Sequence, residues 1–303
     1  MTGAGFSDNL KMLFKKADVL LQFIYINIGI FIIIRISILI CKLFNVEAGS
    51  FLNYLELPSS FFYFIRRPWT ILTYMFLHYD LLHILFNMLW LYWFGKIFLI
   101  IFNGRQLGGL YVLSGIGGGL FYMLAFTVFP YFDKLPDPSY LLGASASVLA
   151  IVVAPAVAAP NFQLRLLIFG NIRLKYIAIA TILLDVYFWS KNMDDAGSHI
   201  AHLGGALIGV WFALCLPKGK DITSPVNHLI DKLVIFFSPK PKMTVTYNNS
   251  NRTGQTRQET DPEYNARKKR EEEELNRILD KLKKSGYESL SPDEKKNLFN
   301  AGK

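Results

Sequence analysis

Six apolar stretches within the first 217 residues are the feature that most constrains how this chain folds. Each is close to the length that an α-helix needs to cross roughly 30 Å of hydrocarbon. They cover 18–42, 79–102, 106–130, 143–160, 174–190 and 198–217. Inside a bilayer every backbone N–H and C=O group must be paired by the protein itself, and a helix does this within one segment. The sequence therefore predicts an all-α, polytopic membrane protein whose six transmembrane helices form a bundle.

The composition agrees with a membrane protein and argues against a nucleic-acid-binding one. Hydrophobic residues make up 52% of the chain and charged residues only 18%. Most of the charge lies after residue 217, where Lys and Arg alternate with Glu and Asp and form no basic face. We therefore expect membrane lipid around the first part of the chain, and no nucleic acid as a partner.

The distribution of Lys and Arg between the predicted loops gives the expected orientation. One side of the membrane receives Lys11, Lys15, Lys16, Arg105, Arg165, Arg173, Lys218 and Lys220. The other side receives Lys42, Arg66, Arg67, Lys134 and Lys191. Because the larger group is expected to face the cytoplasm, both termini are predicted to be cytoplasmic.

Changes of composition divide the chain into four segments. They are a cytoplasmic N-terminus (1–17), a membrane domain (18–217), a linker (218–261) and a charged helical C-terminal tail (262–303). In the tail, an amphipathic helix is expected over 266–284, and a capping box that begins at Ser291 predicts a second helix. The aromatic segment 43–78 is expected to lie along the membrane surface. Nothing in the sequence identifies a partner for the tail.

Side chains that exchange protons or donate hydrogen bonds fall within the predicted bundle. Ionisable groups at membrane depth are costly, which makes each of them a candidate functional residue. His83 and Asn87 are four residues apart on one helix face, and His199 and His202 are three apart on another. Ser145 lies in a run of small residues on a third helix. This combination has the chemistry of a nucleophilic serine site.

Such a serine requires a histidine to take its proton and donors to stabilise an oxyanion. His83 and Asn87 have suitable donor groups. Ser145 and Ser147 project about 200° apart around a helix, so only one of them can face the histidines. Removing the hydroxyl from the serine that faces the histidines is therefore expected to abolish the chemistry, whereas the other serine is expected to pack.

Carboxylates are scarce in this part of the sequence. No Asp or Glu lies deep in the second, fourth or sixth stretch, which predicts a Ser–His dyad without a third, acidic member. Arg35 and Asp185 lie within the first and fifth stretches. They are predicted either to pair with each other or to reach the nearest membrane surface, and neither is assigned a catalytic role.

Taken together, these motifs resemble the rhomboid family of intramembrane serine proteases, and specifically a bacterial member. The matching motifs are His78-x4-His83-x3-Asn87, Gly143-Ala144-Ser145 and Ala201-His202-Leu203-Gly204-Gly205-x3-Gly209, accompanied by Trp69 and the run SGIGGGLFY. The resemblance implies a six-helix rhomboid-like bundle in the bacterial inner membrane that cleaves transmembrane protein substrates. It implies that Ser145 is the nucleophile and His202 the general base, with the Ser145 N–H, His83 and Asn87 forming the oxyanion hole. It implies no cofactor and no metal.

Three positions depart from the family pattern. Ala146 follows the serine where the family usually has glycine, and Leu149 stands where an aromatic residue often stacks on the catalytic imidazole. Thr70 replaces the arginine expected after Trp69, so the first loop is expected to be held by other bonds.

Two other functions compete with proteolysis. A non-catalytic rhomboid-like protein would bind client transmembrane helices, although such members typically lack the serine or the histidine. A metal or haem site could be built from His78, His83, His199 and His202. The lack of nearby carboxylates and of an H-E-x-x-H arrangement argues against that site.

Overall fold

The computed structural model describes residues 17–47, 49–166, 170–191, 195–237 and 261–301. The chain divides into two compact units, Met1–Pro239 and Lys240–Lys303. The described α-helices of the first unit are α1 (Val19–Leu43), α2 (Gly49–Leu52), α3 (Phe61–Arg66), α4 (Thr70–Thr73), α5 (Leu81–Ile101), α6 (Gly104–Val128), α7 (Ser145–Ala158), α8 (Leu174–Lys191), α9 (Ala196–Cys215) and α10 (Ser224–Phe237).

A helix occupies each of the six apolar stretches, which gives the all-α membrane bundle expected from the sequence. Within the described residues, α1, α5, α6 and α9 (extended to Lys218) are long and apolar enough to cross a membrane. Helix α7 is apolar but has only 14 residues, and α8 carries Lys175, Asp185 and Lys191 within its 18 residues. Four helices therefore meet the criteria for spanning, and the exact number of six crossings stays a prediction.

Polar side chains cap the starts of three long helices. The carboxylate of Asp18 accepts a hydrogen bond from the Leu21 N–H at the start of α1, and Asp80 accepts one from the Leu82 N–H at the start of α5. Asn103 and Gln106 form a reciprocal capping box at the start of α6. These caps satisfy backbone donors that have no partner within the helix. They explain why α5 begins directly after the polar segment that contains His78.

Small residues let α6, α7 and α9 pack in close contact. A Cβ at Gly118 of α6 would lie 2.8 Å from the Cβ of Ala146, and one at Gly209 of α9 would lie 2.7 Å from the backbone oxygen of Ala150. A Cβ at Gly205 would overlap the backbone oxygen of Ala146. Helix α7 is consequently buried along residues 146–156. Close approach through small residues is typical of helices packed within membranes.

Two short antiparallel ladders supplement the helices. Strand β1 (Leu57–Pro58) pairs with β2 (Tyr140–Leu141), and β3 (Gln163–Leu166) pairs with β4 (Gly170–Arg173). Because β1 and β2 contain two residues each, they show no alternating pattern that a sequence can reveal. The first ladder joins the 43–78 segment to the chain just before α7.

The region expected to be a linker, 218–261, contains a helix that packs on the bundle. Helix α10 lies against α6, where the Gln106 side-chain amide donates to Asp221 at 3.2 Å and Arg105 pairs with Asp231. Gly109 of α6 makes room for Thr223 and Asn227. The expectation of a linker is thus wrong for Ser224–Phe237, because the amphipathic run after Ser224 packs on α6. The polar part of the expected linker, 245–260, lies outside the described residues.

The described part of the second unit contains two helices, α11 (Asp261–Ser285) and α12 (Pro292–Ala301). Gly286 ends α11 with a φ of +76°, a backbone conformation that favours glycine. Ser291 and Glu294 exchange hydrogen bonds of 2.7 and 3.3 Å at the start of α12. Ile278 is buried within this unit. The capping box and the amphipathic helix expected for the tail are therefore present.

Candidate active site

Ser145 is the first residue of α7, and a sharp backbone turn precedes it. Gly143 has a φ of +118°, which L-residues with a side chain rarely adopt. Its N–H donates to the backbone oxygen of Tyr74 at 2.9 Å. Starting a helix at Ser145 leaves its own backbone N–H without a partner inside the helix. The turn thus presents both a hydroxyl and a free N–H at one point.

His202 of α9 faces this serine. Its Nε2 atom lies 2.6 Å from the Ser145 Oγ, within hydrogen-bonding distance. The glycines of α9 allow this contact, because Gly205 brings the backbone of α9 against Ala146. The serine and histidine that the sequence analysis singled out are therefore adjacent. Ser147 points elsewhere, and its hydroxyl donates to the backbone oxygen of Tyr111 at 2.7 Å.

A carboxylate contacts the other ring nitrogen of His202, contrary to the sequence-based expectation. The Oδ1 atom of Asp185 lies 2.6 Å from His202 Nδ1, which gives a Ser–His–Asp chain. The expectation of a site without an acidic member was wrong because it considered only the stretches that carry the serine and the histidines. Asp185 belongs to α8, and the packing of α8 beside α9 brings its side chain to His202. An ionisable residue inside a predicted span was the signal that pointed to it.

The same carboxylate oxygen also contacts a second histidine. His199 Nδ1 lies 2.9 Å from Asp185 Oδ1, and the His199 ring stacks on Trp189 at 6.5 Å between centroids. The other oxygen, Oδ2, is buried and has no hydrogen-bond partner among the described residues. Asp185 therefore contacts two histidines and does not pair with Arg35. The Arg35 guanidinium instead donates to the backbone oxygen of Tyr79 at 3.1 Å.

His83 and Asn87 lie on α5, on the opposite side of the serine. A Cβ at Gly143 would lie 2.9 Å from the His83 ring, so glycine is needed there for space as well as for conformation. The Asn87 amide nitrogen lies 3.1 Å from the His83 backbone oxygen and 3.3 Å from His78 Nε2. The Ala144 N–H also approaches His78 Nε2, at 3.5 Å. Because both neighbours are donors, His78 Nε2 is the acceptor in these contacts.

A cavity of about 420 Å³ connects these groups. His83, Asn87, Ser145, Asp185 and His202 all line it. Apolar side chains from α5, α7 and α8 form the rest of its wall, among them Phe86, Trp90, Val148, Leu149, Leu184 and Phe188. The polar groups therefore converge at one end of a largely apolar cavity, as in many ligand sites.

The segment before α5 is held by several hydrogen bonds. Trp69 Nε1 donates to the Tyr54 oxygen at 2.7 Å, and the guanidinium of Arg67 donates to the Asn53 oxygen at 3.0 Å. Arg67 also lies over the Tyr54 ring, 3.9 Å from its centroid. Thr70 is fully buried and donates to the Arg67 oxygen at 2.7 Å. The segment is thus fixed without an arginine at position 70.

One buried acid also belongs to this segment. The Tyr79 hydroxyl donates a hydrogen bond to the Glu56 carboxylate. Burial raises the pKa of Glu56, and this hydrogen bond partly opposes the rise. Burial, together with the same contact, raises the pKa of Tyr79. Tyr79 directly follows His78, so the pair links the first loop to the start of α5.

Comparison with protein families decides the identity of this bundle. A model described as the rhomboid domain matches residues 66–219, slightly more than half of the chain. The chain belongs to the rhomboid family. The matched region begins at Arg66, the last residue of α3, and includes every residue named above as lining the cavity.

Three curated proteins are similar to this rhomboid at low identity. "RHOMBOID-like protein 12, mitochondrial" of Arabidopsis thaliana is 28% identical over 219 residues, covering 67% of this chain and 60% of that protein. "Rhomboid-related protein 1" of Caenorhabditis elegans is 24% identical over 201 residues, 62% of this chain and 50% of that protein. "Presenilin-associated rhomboid-like protein A, mitochondrial" of Danio rerio is 30% identical over 146 residues, 45% of this chain and 34% of that protein. The rhomboid thus spans roughly a third to three-fifths of the relatives' own lengths.

The tail of the rhomboid matches a second family. A model described as a family of unknown function (DUF6576) covers residues 258–300. This range contains α11 and all of α12 except its last residue, Ala301. The two family matches do not overlap, in keeping with the division of the chain into two units.

The two departures beside Ser145 fit the packing of the rhomboid. Ala146 is buried, and its methyl group faces Gly118 of α6, where there is no side chain to displace. Leu149 lines the cavity one turn after the serine. An aromatic ring does stack in this region, but it is Trp189 and its partner is His199. Donor atoms of Asp185, His199 and His202 lie within 4.8 Å of one another, so these three residues could together hold a metal ion.

Proposed function

We propose that this rhomboid is an intramembrane serine endopeptidase that hydrolyses peptide bonds of transmembrane substrates. The observation that carries the proposal is the 2.6 Å contact between Ser145 Oγ and His202 Nε2 inside an apolar cavity. Ser145 is the nucleophile and His202 the general base. Asp185 positions His202, because a carboxylate that accepts the Nδ1 proton keeps Nε2 free to accept another one.

The reaction proceeds through an acyl-enzyme. Ser145 Oγ attacks the carbonyl carbon of the scissile bond while His202 Nε2 takes its proton. His202 then gives this proton to the leaving amine as the C–N bond breaks. A water molecule, activated by the same nitrogen, hydrolyses the ester and regenerates Ser145. The negative charge of Asp185 stabilises the imidazolium that forms twice in this cycle.

Three donors stabilise the oxyanion in each tetrahedral intermediate. The Ser145 N–H is available because it begins α7, and the positive end of the helix dipole favours negative charge there. His83 lies beside Gly143, close to the serine. Asn87 contributes an N–H that contacts His78 in the resting enzyme. His78 thus acts as a positioning residue for Asn87.

The cavity binds part of a transmembrane helix that unwinds locally. A peptide bond inside a regular helix is shielded by its own hydrogen bonds, so the substrate must open before Ser145 reaches it. The apolar walls formed by α5, α7 and α8 accept an apolar side chain next to the scissile bond. The first loop, held by Trp69 and Arg67, borders the residues that lead into α5.

The protein lies in the bacterial inner membrane with both termini in the cytoplasm. The excess of Lys and Arg on one side of the apolar stretches supports this orientation. Two of the similar proteins are named as mitochondrial, so the support for the proposed location comes from the charge distribution and not from the relatives. Accessibility of single cysteines placed near residues 3 and 290 to an impermeant reagent tests the orientation. Labelling of these sites in intact cells would contradict it.

The chain is organised as an N-terminal segment, a catalytic membrane domain, a connecting region and a helical tail. Helix α10 belongs to the membrane domain in this scheme, because it packs on α6. The tail from Asp261 onward carries none of the residues assigned to catalysis. Its role is to bind a partner or a lipid surface rather than to take part in the reaction.

Labelling with a serine-directed fluorophosphonate tests the proposal directly. Purified wild-type protein is expected to be labelled and to cleave a model transmembrane substrate. Ser145→Ala is expected to lose both properties, whereas the matched Ser147→Ala variant keeps them because Ser147 only donates to the Tyr111 oxygen. Folded wild-type protein that is neither labelled nor active would favour a non-catalytic protein that holds client helices.

A further inference from the structure

The proposed reaction leaves one histidine of the site without a task. Proton transfer requires Ser145, His202 and Asp185, yet His199 makes the same contact with Asp185 Oδ1 that His202 makes. The two distances are 2.9 Å and 2.6 Å, and both involve Nδ1. Two imidazoles and one carboxylate therefore converge on one small volume. The peptidase chemistry alone does not account for this arrangement.

These three donors match the ligands that a transition-metal ion prefers. Zinc is bound by histidine nitrogens at about 2.0–2.1 Å and by carboxylate oxygens at about 2.0–2.2 Å. All three donor atoms already lie within 4.8 Å of one another. A tetrahedral ion with such bonds keeps its ligands roughly 3.4 Å apart. The two Nδ1–Oδ1 distances of 2.9 and 2.6 Å consequently need to lengthen by less than about 1 Å to admit the ion.

A second observation points to a ligand at the same place. Asp185 Oδ2 is buried and has no hydrogen-bond partner among the described residues. Buried carboxylate oxygens are nearly always paired, because an unpaired one keeps the cost of desolvation without a compensating bond. A cation bound by this carboxylate together with His199 and His202 would place a compensating positive charge beside the unpaired oxygen.

We propose that Asp185, His199 and His202 form a site for a divalent transition-metal ion such as Zn²⁺, and that the bound ion inhibits the peptidase. The metal takes the Nδ1 lone pair of His202, so the remaining ring proton resides on Nε2. Nε2 faces Ser145 Oγ at 2.6 Å and then donates a hydrogen bond instead of accepting a proton. The serine loses its base. No net proton is released by His202, because its proton moves from Nδ1 to Nε2.

The ion reaches the site through the same cavity as the substrate and water. Asp185 and His202 both line this cavity beside Ser145. The donor set also selects the ion. Imidazole nitrogens suit Zn²⁺, Co²⁺ and Cu²⁺, whereas Mg²⁺ and Ca²⁺ require mainly oxygen ligands. Inhibition is therefore expected with Zn²⁺ and absent with Mg²⁺.

The inhibitory part of this inference rests on the proposed peptidase function, but the binding part does not. Binding is measured on full-length Ser145→Ala protein without a histidine tag, which keeps all three ligands and has no activity to interfere. We expect one Zn²⁺ per chain by competition with a chromophoric chelator, and a visible absorption band on adding Co²⁺. Introducing His199→Gln is expected to weaken binding by at least about tenfold, since a ligand is lost.

Matched variants make the binding result decisive. His228→Gln changes a histidine of α10 outside the cluster and is expected to leave Zn²⁺ affinity unchanged. Asp185→Asn is expected to weaken binding as His199→Gln does, and it covers the case in which one of the two variants does not fold. Absence of Zn²⁺ binding in the Ser145→Ala protein would overturn the inference. So would affinity that is the same in folded His199→Gln or Asp185→Asn protein.

Cleavage assays test the inhibitory part. We expect Zn²⁺ to suppress substrate cleavage by wild-type protein, a chelator to restore it and Mg²⁺ to have no effect. His199→Gln is expected to retain measurable turnover and to require at least about tenfold more Zn²⁺ for half-inhibition. Zinc that binds one-to-one without slowing cleavage would overturn the inhibitory role. Protein that binds zinc but never cleaves would refute the peptidase function and leave the metal site standing.

Discussion

Ser145 lies between two groups of histidines that the fold surrounds with different partners. On one side, His78 just before α5 and His83 on α5 are accompanied by Asn87, whose amide nitrogen contacts the His78 ring and the backbone oxygen of His83. On α9, His199 and His202 share the carboxylate of an aspartate on α8. A carboxylate accepts the Nδ1 proton and prepares a histidine to act as a base, while an amide partner provides no such charge. The same residue type therefore serves different purposes on the two sides, and its hydrogen-bond partner decides which.

The largest expected effect concerns the base on the α9 side. His202→Ala is expected to lower kcat/KM by about 10⁴-fold or more, because the unactivated serine is a poor nucleophile. Fluorophosphonate labelling should disappear in parallel. The matched His199→Ala variant should keep measurable turnover, since His199 does not contact Ser145. Complete loss in both variants would erase the distinction between these two histidines.

The next largest effect is expected for Asp185, the carboxylate that contacts the histidines of α9. Asp185→Asn keeps an oxygen acceptor but removes the charge, and we expect kcat to fall roughly 100- to 1000-fold. KM should change little, because the charge matters most when the imidazolium forms. Steady-state kinetics in detergent measure both constants, with Asp133→Asn, in the segment between α6 and α7 and outside the cavity, as a control. A change confined to KM would show that Asp185 shapes the substrate cavity instead.

Substitutions among the proposed oxyanion donors should lower turnover less. Asn87→Ala is expected to reduce kcat by roughly 10- to 1000-fold, the range for losing one oxyanion donor. Substrate binding should be preserved, because the developing charge exists only in the transition state. His78→Ala tests whether His78 acts through Asn87, since the double variant should then be no slower than Asn87→Ala alone. Additive losses would argue that His78 has a separate role.

A smaller effect is expected for stability at the start of α5. Burial raises the pKa of Glu56, so the folded protein holds this proton at pH values where the unfolded chain has released it. The stability that this proton contributes is present below the unfolded-state pKa and is lost as pH rises through the folded-state pKa. The Tm of wild-type protein minus the Tm of Glu56→Gln should therefore fall as the pH rises from about 4 to the raised pKa. Above that pH the difference should stay constant. Glu47→Gln, which changes an exposed carboxylate of the same segment, serves as the matched control.

The smallest effect is expected outside both histidine groups. Deleting 245–303 keeps α10 on the bundle and removes the described tail helices. Cleavage of a detergent-solubilised substrate should remain within about twofold of the full-length value, since every residue assigned to catalysis precedes this region. A truncated protein that is monodisperse and folded yet inactive would show that the tail belongs to the enzyme.

The positions of the helices were largely readable from the sequence. Apolar stretches of membrane-spanning length predicted a helix at each of six places, and caps such as Asp80 and Asn103 account for where two of them begin. Helix α10 was not predicted, because the whole of 218–261 was assigned to a linker. Ser224 and Pro225 are typical of a helix start, so the signal was present.

The site was readable only in part. The spacing of His83 and Asn87, and the small residues around Ser145, predicted which faces would meet. Asp185 could not be assigned, because pairing with Arg35 and reaching the surface were equally compatible with its place in a span. Only the packing of α8 beside α9 brings its carboxylate to His202.

What the sequence determined by itself was therefore what depends on neighbours along the chain. These are the apolar length of each helix, the capping residues, the glycine turn before Ser145 and the membership of the rhomboid family. The tertiary structure alone decided which helix supplies the carboxylate and that two histidines share it. It also left one carboxylate oxygen with no hydrogen-bond partner among the described residues. Lateral contacts between helices depend on how side chains from distant segments fit together, and no local pattern records that fit.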